Sequence, residues 1–418
     1  MVWPVPPDLR PVSNAVLAMP RAPRDWAGAG ALWITAAGWA GALRRLGAAT
    51  TVLTPVGTLT EQECLANTSS AALSSRGSRS RVPASLRVIA RDAQRARSMR
   101  GYDRAAVHLL GATDGIDLVW QHHELFHTAG AAVADHFDAP RIEYVHAPIV
   151  WEARRWGVAR RVSGPVLVRA GELPALRSAD LVACVTDEVV AEVERLGVDR
   201  DRIIVSPMGI DPERFDPAAV AEVELSRFDD LGDFIVGWVG SMRRFHSIDL
   251  ALDAVRAARR QGHRIGLVIA GDGQDRQRIE SLVQEMELTD AVRLLGQISN
   301  DAVPALLASV DAAVITAGAQ QQFHYSPLKL REYLAMARPV AVPATGEITR
   351  LLDHGHTAML YEPGDSAGLA DVFVQLASDP ALREQVGSAG RELVMRTATW
   401  DILVAEALDR LGLAGAPT

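Results

Sequence analysis

Cysteine is nearly absent: Cys64 and Cys184 are the only two in 418 residues. Two thiols make neither a disulfide framework nor a four-ligand zinc site, so the composition points to a reducing cytoplasm. Basic charge is also short, with 43 lysines and arginines against 51 acids and a formal net charge of -8. That balance excludes wholesale nucleic-acid binding, which needs a basic field to neutralise phosphates. Long apolar runs are missing too. No window approaches the ~20 residues that cross a bilayer, and the proline-rich start lacks the apolar core of a signal peptide. The expectation is a soluble cytoplasmic chain, at most peripheral to the inner face of the membrane.

Lysine is the sharpest deficit. Of the 43 basic residues only Lys329 is lysine. A lysine that survives where arginine serves everywhere else is a candidate for a task needing a compact point charge in a tight site.

What is present suits a large globular protein. Apolar residues make up 48% and charged residues 22%, enough to bury the cores of two or three domains. Short β-branched runs alternate with helical stretches. Strands are expected at 16–19, 51–55, 117–120, 142–145, 181–185 and 203–205, with helices at about 32–46, 125–136 and 188–196 between them. Turn residues from Gly209 to Phe215 and an acidic, irregular stretch to Asp233 break the rhythm. It restarts with strands at 234–239, 267–270, 292–295, 312–316, 340–342 and 359–361, and helices at 248–260 and 276–286. Continuous apolar strands separated by helices mean parallel sheets covered on both faces. The expected fold is α/β, two Rossmann-like parallel-sheet domains facing a central cleft, with ligands beyond the carboxyl ends of the strands. Residues 66–104 differ. Nine arginines and two acids there read as a solvated helix face plus a loop, or as a surface for phospholipid or an anionic acceptor.

Several motifs carry chemistry. His123-Glu124-Leu125-Phe126-His127 satisfies the zinc-protease pattern H-E-x-x-H, with Glu143 available as a third ligand. It follows directly on a strand, however, so it would open a crossover helix with few turns before its first ligand. Gly28-Ala29-Gly30, Gly237-Trp238-Val239-Gly240 and Gly271-Asp272-Gly273 sit near strand ends, where they mark tight turns or let backbone amides approach a phosphate or sugar. None extends to the dinucleotide fingerprint. In the segment Tyr325–Ala335, Ser326 is placed as a helix N-cap, Pro327 at the first helical position, and Leu328 and Lys329 in the first turn. Unpaired amides of such a turn attract anions, and Glu332 lies three residues on, placed to bind a ribose diol or simply to pair with Lys329. Arg243, Arg244 and His246 follow the turn at Gly240-Ser241, where cations suit a diphosphate. His146 ends the strand at 142–145, either a satisfied structural histidine or one that touches a sugar hydroxyl.

Taken in order and at this spacing, these segments resemble a retaining GT-B glycosyltransferase of glycosyltransferase family 4. "RIIVSPMGIDPERF" is similar to the family's domain-closing segment, "VGWVGSMRRFHSIDLALDA" to its donor loop, and "HYSPLKLREYLAMARPVAVP" to a variant of its donor motif. The resemblance implies three parts: an acceptor-binding domain at 1–215, a donor domain at 216–395, and a helix at 396–418 returning to the first. It implies a nucleotide-diphospho-sugar, UDP-linked before GDP-linked, as co-substrate, with no metal. By that likeness Arg243 and Lys329 are catalytic together with His146 beside the transferred sugar. Gly28, Gly30, Gly240, Ser241, His246, Gly273, Gln297, Ile298, His324, Ser326, Pro327, Leu328 and Glu332 bind the donor.

The chain departs from the pattern in three places. His324 stands where the first glutamate of E-x7-E is usual, His246 stands near the usual donor-loop lysine, and an alanine replaces the first glycine around 27–29. The base, the sugar and the acceptor (glycan, lipid or small natural product) are not written in the motifs. Two other readings stand beside the enzyme: a catalytically silent GT-B partner and a zinc peptidase at His123–His127.

Overall fold

The computed structural model describes residues 9–22, 30–68, 84–113, 115–155, 163–220, 228–319, 328–346 and 348–415. They fall into two compact units, Met1–Met208 with Trp400–Thr418, and Gly209–Thr399. The segment 209–215, placed by sequence with the first domain, clusters with the second. The Ile210 amide bonds the Ala398 carbonyl at 2.9 Å, and Ile210 and Phe215 are buried among Leu307, Tyr333 and Val394.

The first unit contains β1 (Arg10–Val12), β2 (Asn14–Ala18), β3 (Ala49–Thr54), β4 (Gly57–Leu59), β5 (Leu118–His122), β6 (Arg141–Val145), β7 (Leu181–Cys184) and β8 (Ile203–Val205). Seven of these form one sheet in the order β4-β3-β2-β5-β6-β7-β8, parallel except for β4. The inner strands β5, β6 and β7 are buried at every residue, as a sheet covered on both faces requires. Helix Trp400–Arg410 packs on helix Gly30–Arg45. A Cβ at Gly38 would lie 2.2 Å from the Trp400 indole nitrogen, so only glycine admits that ring.

The second unit contains β9 (Phe234–Val239), β10 (Ile265–Ala270), β11 (Val292–Gly296), β12 (Ala312–Val314), β13 (Val340–Pro343) and β14 (Met359–Tyr361). Their order is β11-β10-β9-β12-β13-β14, all parallel. The chain order therefore reverses between β9 and β12, the point at which such sheets open a ligand crevice. Helix Ile248–Arg260 buries Ile248, Ala251, Leu252, Val255 and Ala258, a three-and-four spacing that faces one stripe to the sheet. A last strand, β15 (Leu413–Gly415), pairs with β1. Both units are Rossmann-like α/β layers, as the alternation of strand and helix predicts.

Two boundaries differ from the sequence expectation in ways that bear on function. The helix expected from 125 starts at Ala129, because Phe126 takes a left-handed φ of 62° and its amide turns to the Gly171 carbonyl at 2.7 Å. The strand expected to run to Thr316 stops at Val314, and the Thr316 hydroxyl donates to the His246 carbonyl.

Candidate active site

In the second unit, three turns meet beyond the carboxyl ends of β9, β10 and β11. The Gly240 amide bonds the Ala270 carbonyl at 2.9 Å, and the Gly271 amide bonds that of Gly296 at 2.7 Å. The Met242 amide bonds the Asp272 carbonyl at 2.9 Å. Glycine is required by contact here. A Cβ on Gly271 would fall 1.7 Å from the Gly240 carbonyl oxygen, and one on Gly273 2.4 Å from that of Met242. Gly240 has a φ of 150°, and a Cβ there would lie 2.5 Å from Lys329 Nζ.

Lys329 is thereby given its place. Its ammonium lies 4.3 Å from the centroid of the Trp238 ring, a cation–π contact in a slot that only a glycine leaves open. The helix that carries it, Leu328–Ala335, is pinned to the end of β9 by Tyr333. The Tyr333 hydroxyl accepts from the Val239 amide at 2.7 Å and donates to the Val239 carbonyl at 3.3 Å. Glu332 is 6% exposed, so a surface ion pair with Lys329 is not what this helix offers. Among the described residues, no hydrogen bond or ion pair engages the side chain of either Lys329 or Glu332. Burial lowers Lys329 to about 7 against the pull of Glu332. Burial raises Glu332 to about 7, although Arg214 and Lys329 favour its anion. Burial and the positive charges of Lys329 and Arg243 push His246 down to about 2, so its imidazole is neutral. Arg243 and Ser241 are exposed beside it. Among the described residues, then, an ammonium and a carboxylate three residues apart stand without a hydrogen bond or ion pair, an arrangement common at functional sites.

The remaining donor-binding expectations divide. Gln297 and Ile298 follow the end of β11 in the same ring of turns. Gly30 is the first residue of helix Gly30–Arg45. Gly28, His324, Ser326 and Pro327 lie outside the described residues, and the described lysine helix is Leu328–Ala335.

In the first unit, His146 stands just past the end of β6, half-buried. Its Nδ1 lies 2.9 Å from His122 Nε2, and its Nε2 lies 3.3 Å from the Thr35 hydroxyl. The Tyr144 ring meets it edge-on at 5.3 Å. Burial lowers His146 to about 4, which keeps it neutral near pH 7.

The zinc-protease pattern is corrected by its surroundings. Its five residues lie on a turn before helix Ala129–Phe137, so the two histidines do not share a helix face. His123 Nδ1 pairs with Glu143 Oε1 at 2.9 Å, and its Nε2 lies 3.5 Å from Glu172. Burial opposes its charge, but the bonds and charges of Glu143 and Glu172 outweigh that and raise it to about 10. Glu124 is held by Arg21 at 2.8 Å and Arg95 at 3.0 Å. His127 Nδ1 faces the His122 carbonyl at 2.9 Å, and its ring stacks on Tyr102. Glu143, the proposed third ligand, also pairs with Arg141. Among the described residues no group of three metal-ligating side chains converges. His123, Glu124 and His127 are each engaged by neighbouring groups of the first unit.

Comparison with known proteins agrees with this geometry. Residues 34–214 match the family model "Glycosyltransferase Family 4", and residues 233–379 match "Glycosyl transferases group 1". The chain belongs to the family 4 glycosyltransferases. It is 25% identical over 289 residues to D-inositol 3-phosphate glycosyltransferase of Pseudarthrobacter chlorophenolicus, covering 65% of each chain. It is 28% identical over 269 residues to 2-deoxystreptamine glucosyltransferase of Streptomyces kanamyceticus, covering 63% of this chain and 68% of the relative. The chain thus spans about two thirds of the length of these relatives. By fold it is similar to Anabaena HepE, crystallised with UDP and glucose, with a TM-score of 0.60 and 16% identity over 95% of this chain and 98% of that one. Sucrose-phosphate synthase of Thermosynechococcus elongatus gives 0.62, with 20% identity over 94% and 97%. The fold is GT-B.

Sequence reasoning missed five residues near these sites: Trp238, Arg214, Thr35, His122 and Glu172. Trp238 was legible as the tryptophan near the carboxyl end of the strand before Gly240. The doublet His122-His123 at a strand end was a second signal, absorbed by the zinc pattern. Arg214, Thr35 and Glu172 left no local mark, because each reaches its partner across the fold.

Proposed function

We propose that this protein is a retaining glycosyltransferase that moves a sugar from a nucleotide-diphospho-sugar, UDP-linked before GDP-linked, to an acceptor hydroxyl. The observation that carries the reading is the pair Lys329 and Glu332 beside the Gly240 turn, neither with a hydrogen bond or ion pair among the described residues, with Arg243 exposed nearby. Lys329 and Arg243 meet the charge that develops on the diphosphate as its bond to the sugar breaks. These side-chain cations serve where a metal ion would otherwise be needed. Glu332 accepts hydrogen bonds from the ribose diol, and the turns at Gly240 and Gly273 admit the phosphates. The sugar carbon loses the β-phosphate oxygen and gains the acceptor oxygen on the same face. The acceptor proton passes to a β-phosphate oxygen, so no protein base is required. His146, neutral, binds a hydroxyl of the transferred sugar. HepE, which shares the fold and was crystallised with UDP, is the reason to test uridine nucleotides first.

A membrane contact belongs to the same reading. Helix Ala84–Leu110 docks on the core through Met99, Tyr102 and Ala106 and leaves Arg97, Arg100 and Arg104 exposed along one face. That spacing suits anionic headgroups at the inner face of the membrane. Among the described residues no helix is long and apolar enough to cross a membrane.

The test is thermal unfolding of wild type and Lys329→Ala against UDP, GDP, ADP and dTDP, followed by hydrolysis of the matching nucleotide sugar. A ligand at a hundred times its dissociation constant adds about 2.7 kcal/mol of stability. One nucleotide should stabilise wild type and not the variant. No shift with any of them overturns the reading, and binding without donor hydrolysis identifies a silent partner.

A further inference from the structure

His146 is held from two directions by residues to which the glycosyltransferase reading gives no role. β5 and β6 are adjacent parallel strands with His122 opposite Tyr144, so their carboxyl ends deliver His122 and His146 side by side. The rings meet edge-on with centroids 4.9 Å apart and the Nε2-to-Nδ1 distance is 2.9 Å. Two residues beyond His146, Pro148 confines the backbone of Ala147 to extended conformations. Helix Ile149–Arg155 then begins, and its first amides are capped from outside. Glu172 Oε1 accepts from the Ile149 amide and, at 3.4 Å, from that of Val150. Glu172 is fully buried, ends a π-helical turn at Val168–Glu172, and faces the His123 ring at 3.5 Å. π-Turns of this kind recur at functional sites.

We propose that His122 and Glu172 are positioning residues for His146. His122 engages Nδ1 and Glu172 fixes the start of the helix that follows, so that Nε2 is the nitrogen presented to the transferred sugar. The proposal rests on the reading of His146 as the group beside that sugar. Burial lowers both His122 and His146 and keeps the pair neutral, so what passes between the rings is a directed hydrogen bond and not a charge. With Nδ1 occupied and the backbone anchored, the ring keeps Nε2 at Thr35, on the side away from His122. The physical gain is pre-organisation: a displacement of about 1 Å in a positioning group costs on the order of 100-fold in rate.

The experiment uses the full chain with UDP-glucose hydrolysis, UDP-dependent thermal unfolding, and nitrogen NMR of the imidazoles, His146 being assigned by its loss in His146→Ala. His122→Phe should lower kcat about 10- to 100-fold while KM and the UDP shift stay within about twofold of wild type. His122→Gln, which keeps a hydrogen-bonding group, should recover most of that loss. Glu172→Gln should lower kcat in the same direction with KM unchanged. In a His146→Ala background His122→Phe should cost nothing further. The His146 nitrogen signals should move in His122→Phe and return toward wild type in His122→Gln. Additive losses in the double variant, or unmoved His146 signals, overturn the positioning role. If wild type neither binds UDP nor hydrolyses the donor, the glycosyltransferase reading fails instead, and the NMR arm alone decides whether His122 holds His146.

Discussion

The two units bury their ionisable groups in opposite ways. In the first, Arg141, Glu143, His123 and Glu172 form a chain in which each member has a partner, and Arg141 adds bonds to the Ala175 carbonyl and Ser178. In the second, Lys329 and Glu332 sit three residues apart, and no hydrogen bond or ion pair engages either side chain among the described residues. Burying a charge is costly unless it is paired, and breaking a buried pair is costlier still. The paired chain therefore reads as architecture that holds the turn around His146. The lysine and glutamate, without such partners among the described residues, are the groups we propose to be met by the ligand. The zinc-protease pattern H-E-x-x-H belongs to the architecture. The stretch around Lys329, marked in the sequence by its lone lysine, is the one we propose for the chemistry.

The largest expected effect tests the unpaired side. Lys329→Ala should lower donor turnover about 100- to 1,000-fold and abolish stabilisation by UDP. The ligand-free protein should lose no more than about 1 kcal/mol, the scale of the contact with Trp238. Lys329→Arg should not rescue turnover, because a planar guanidinium does not replace the compact ammonium that packs 4.3 Å from the Trp238 ring beside Gly240. Rescue by arginine would break the account of why one lysine survives.

The paired side is tested by Glu143→Ala. Removing that carboxylate strands Arg141 and His123 in the core and should cost about 3–5 kcal/mol in urea unfolding. A loss below about 1 kcal/mol would mean that the network is ornamental and that the contrast between the units fails.

A pH series sharpens the comparison further. A diphosphate favours protonated Lys329, whose free-state value is lowered to about 7, so binding takes up a proton above that pH. UDP affinity, measured by calorimetry, should therefore fall as pH rises from 7, by up to about tenfold per unit. An affinity constant up to pH 9 would contradict the depressed lysine.

The smallest effect concerns charges that are neither paired nor buried. Replacing Arg97, Arg100 and Arg104 by serine should change unfolding stability by less than about 0.5 kcal/mol. Sedimentation with vesicles containing anionic lipid should nevertheless decrease. Retained sedimentation would remove the membrane contact from the proposal.

Much was legible from residues alone. The twelve strands expected from apolar runs all exist, because a buried parallel strand is written locally as a β-branched run between turn signals. Lys329 and Glu332 were legible because scarcity marked the first and helix spacing linked it to the second. The end of β12 was misjudged, since Thr316 continues the apolar run and only its bond to the His246 carbonyl turns it away. The helix at 125 was misjudged for the same kind of reason, a backbone bond from Phe126 to Gly171, far along the chain.

Composition, alternation of strand and helix, and motif order determined the α/β class, the two-part organisation and the neighbourhood of the proposed donor site, because each is a local or periodic property of the chain. Whether a buried charge is satisfied depends on groups that meet only after folding: Glu172 reaches His123 across 49 positions of sequence, and Trp238 reaches Lys329 across 91. Only the tertiary structure decided that His123 pairs with Glu143 and Glu172, that His122 abuts His146, and that Lys329 rests on Trp238 with no ion pair among the described residues. Partnership is a matter of distance in space, and one sequence does not contain distances.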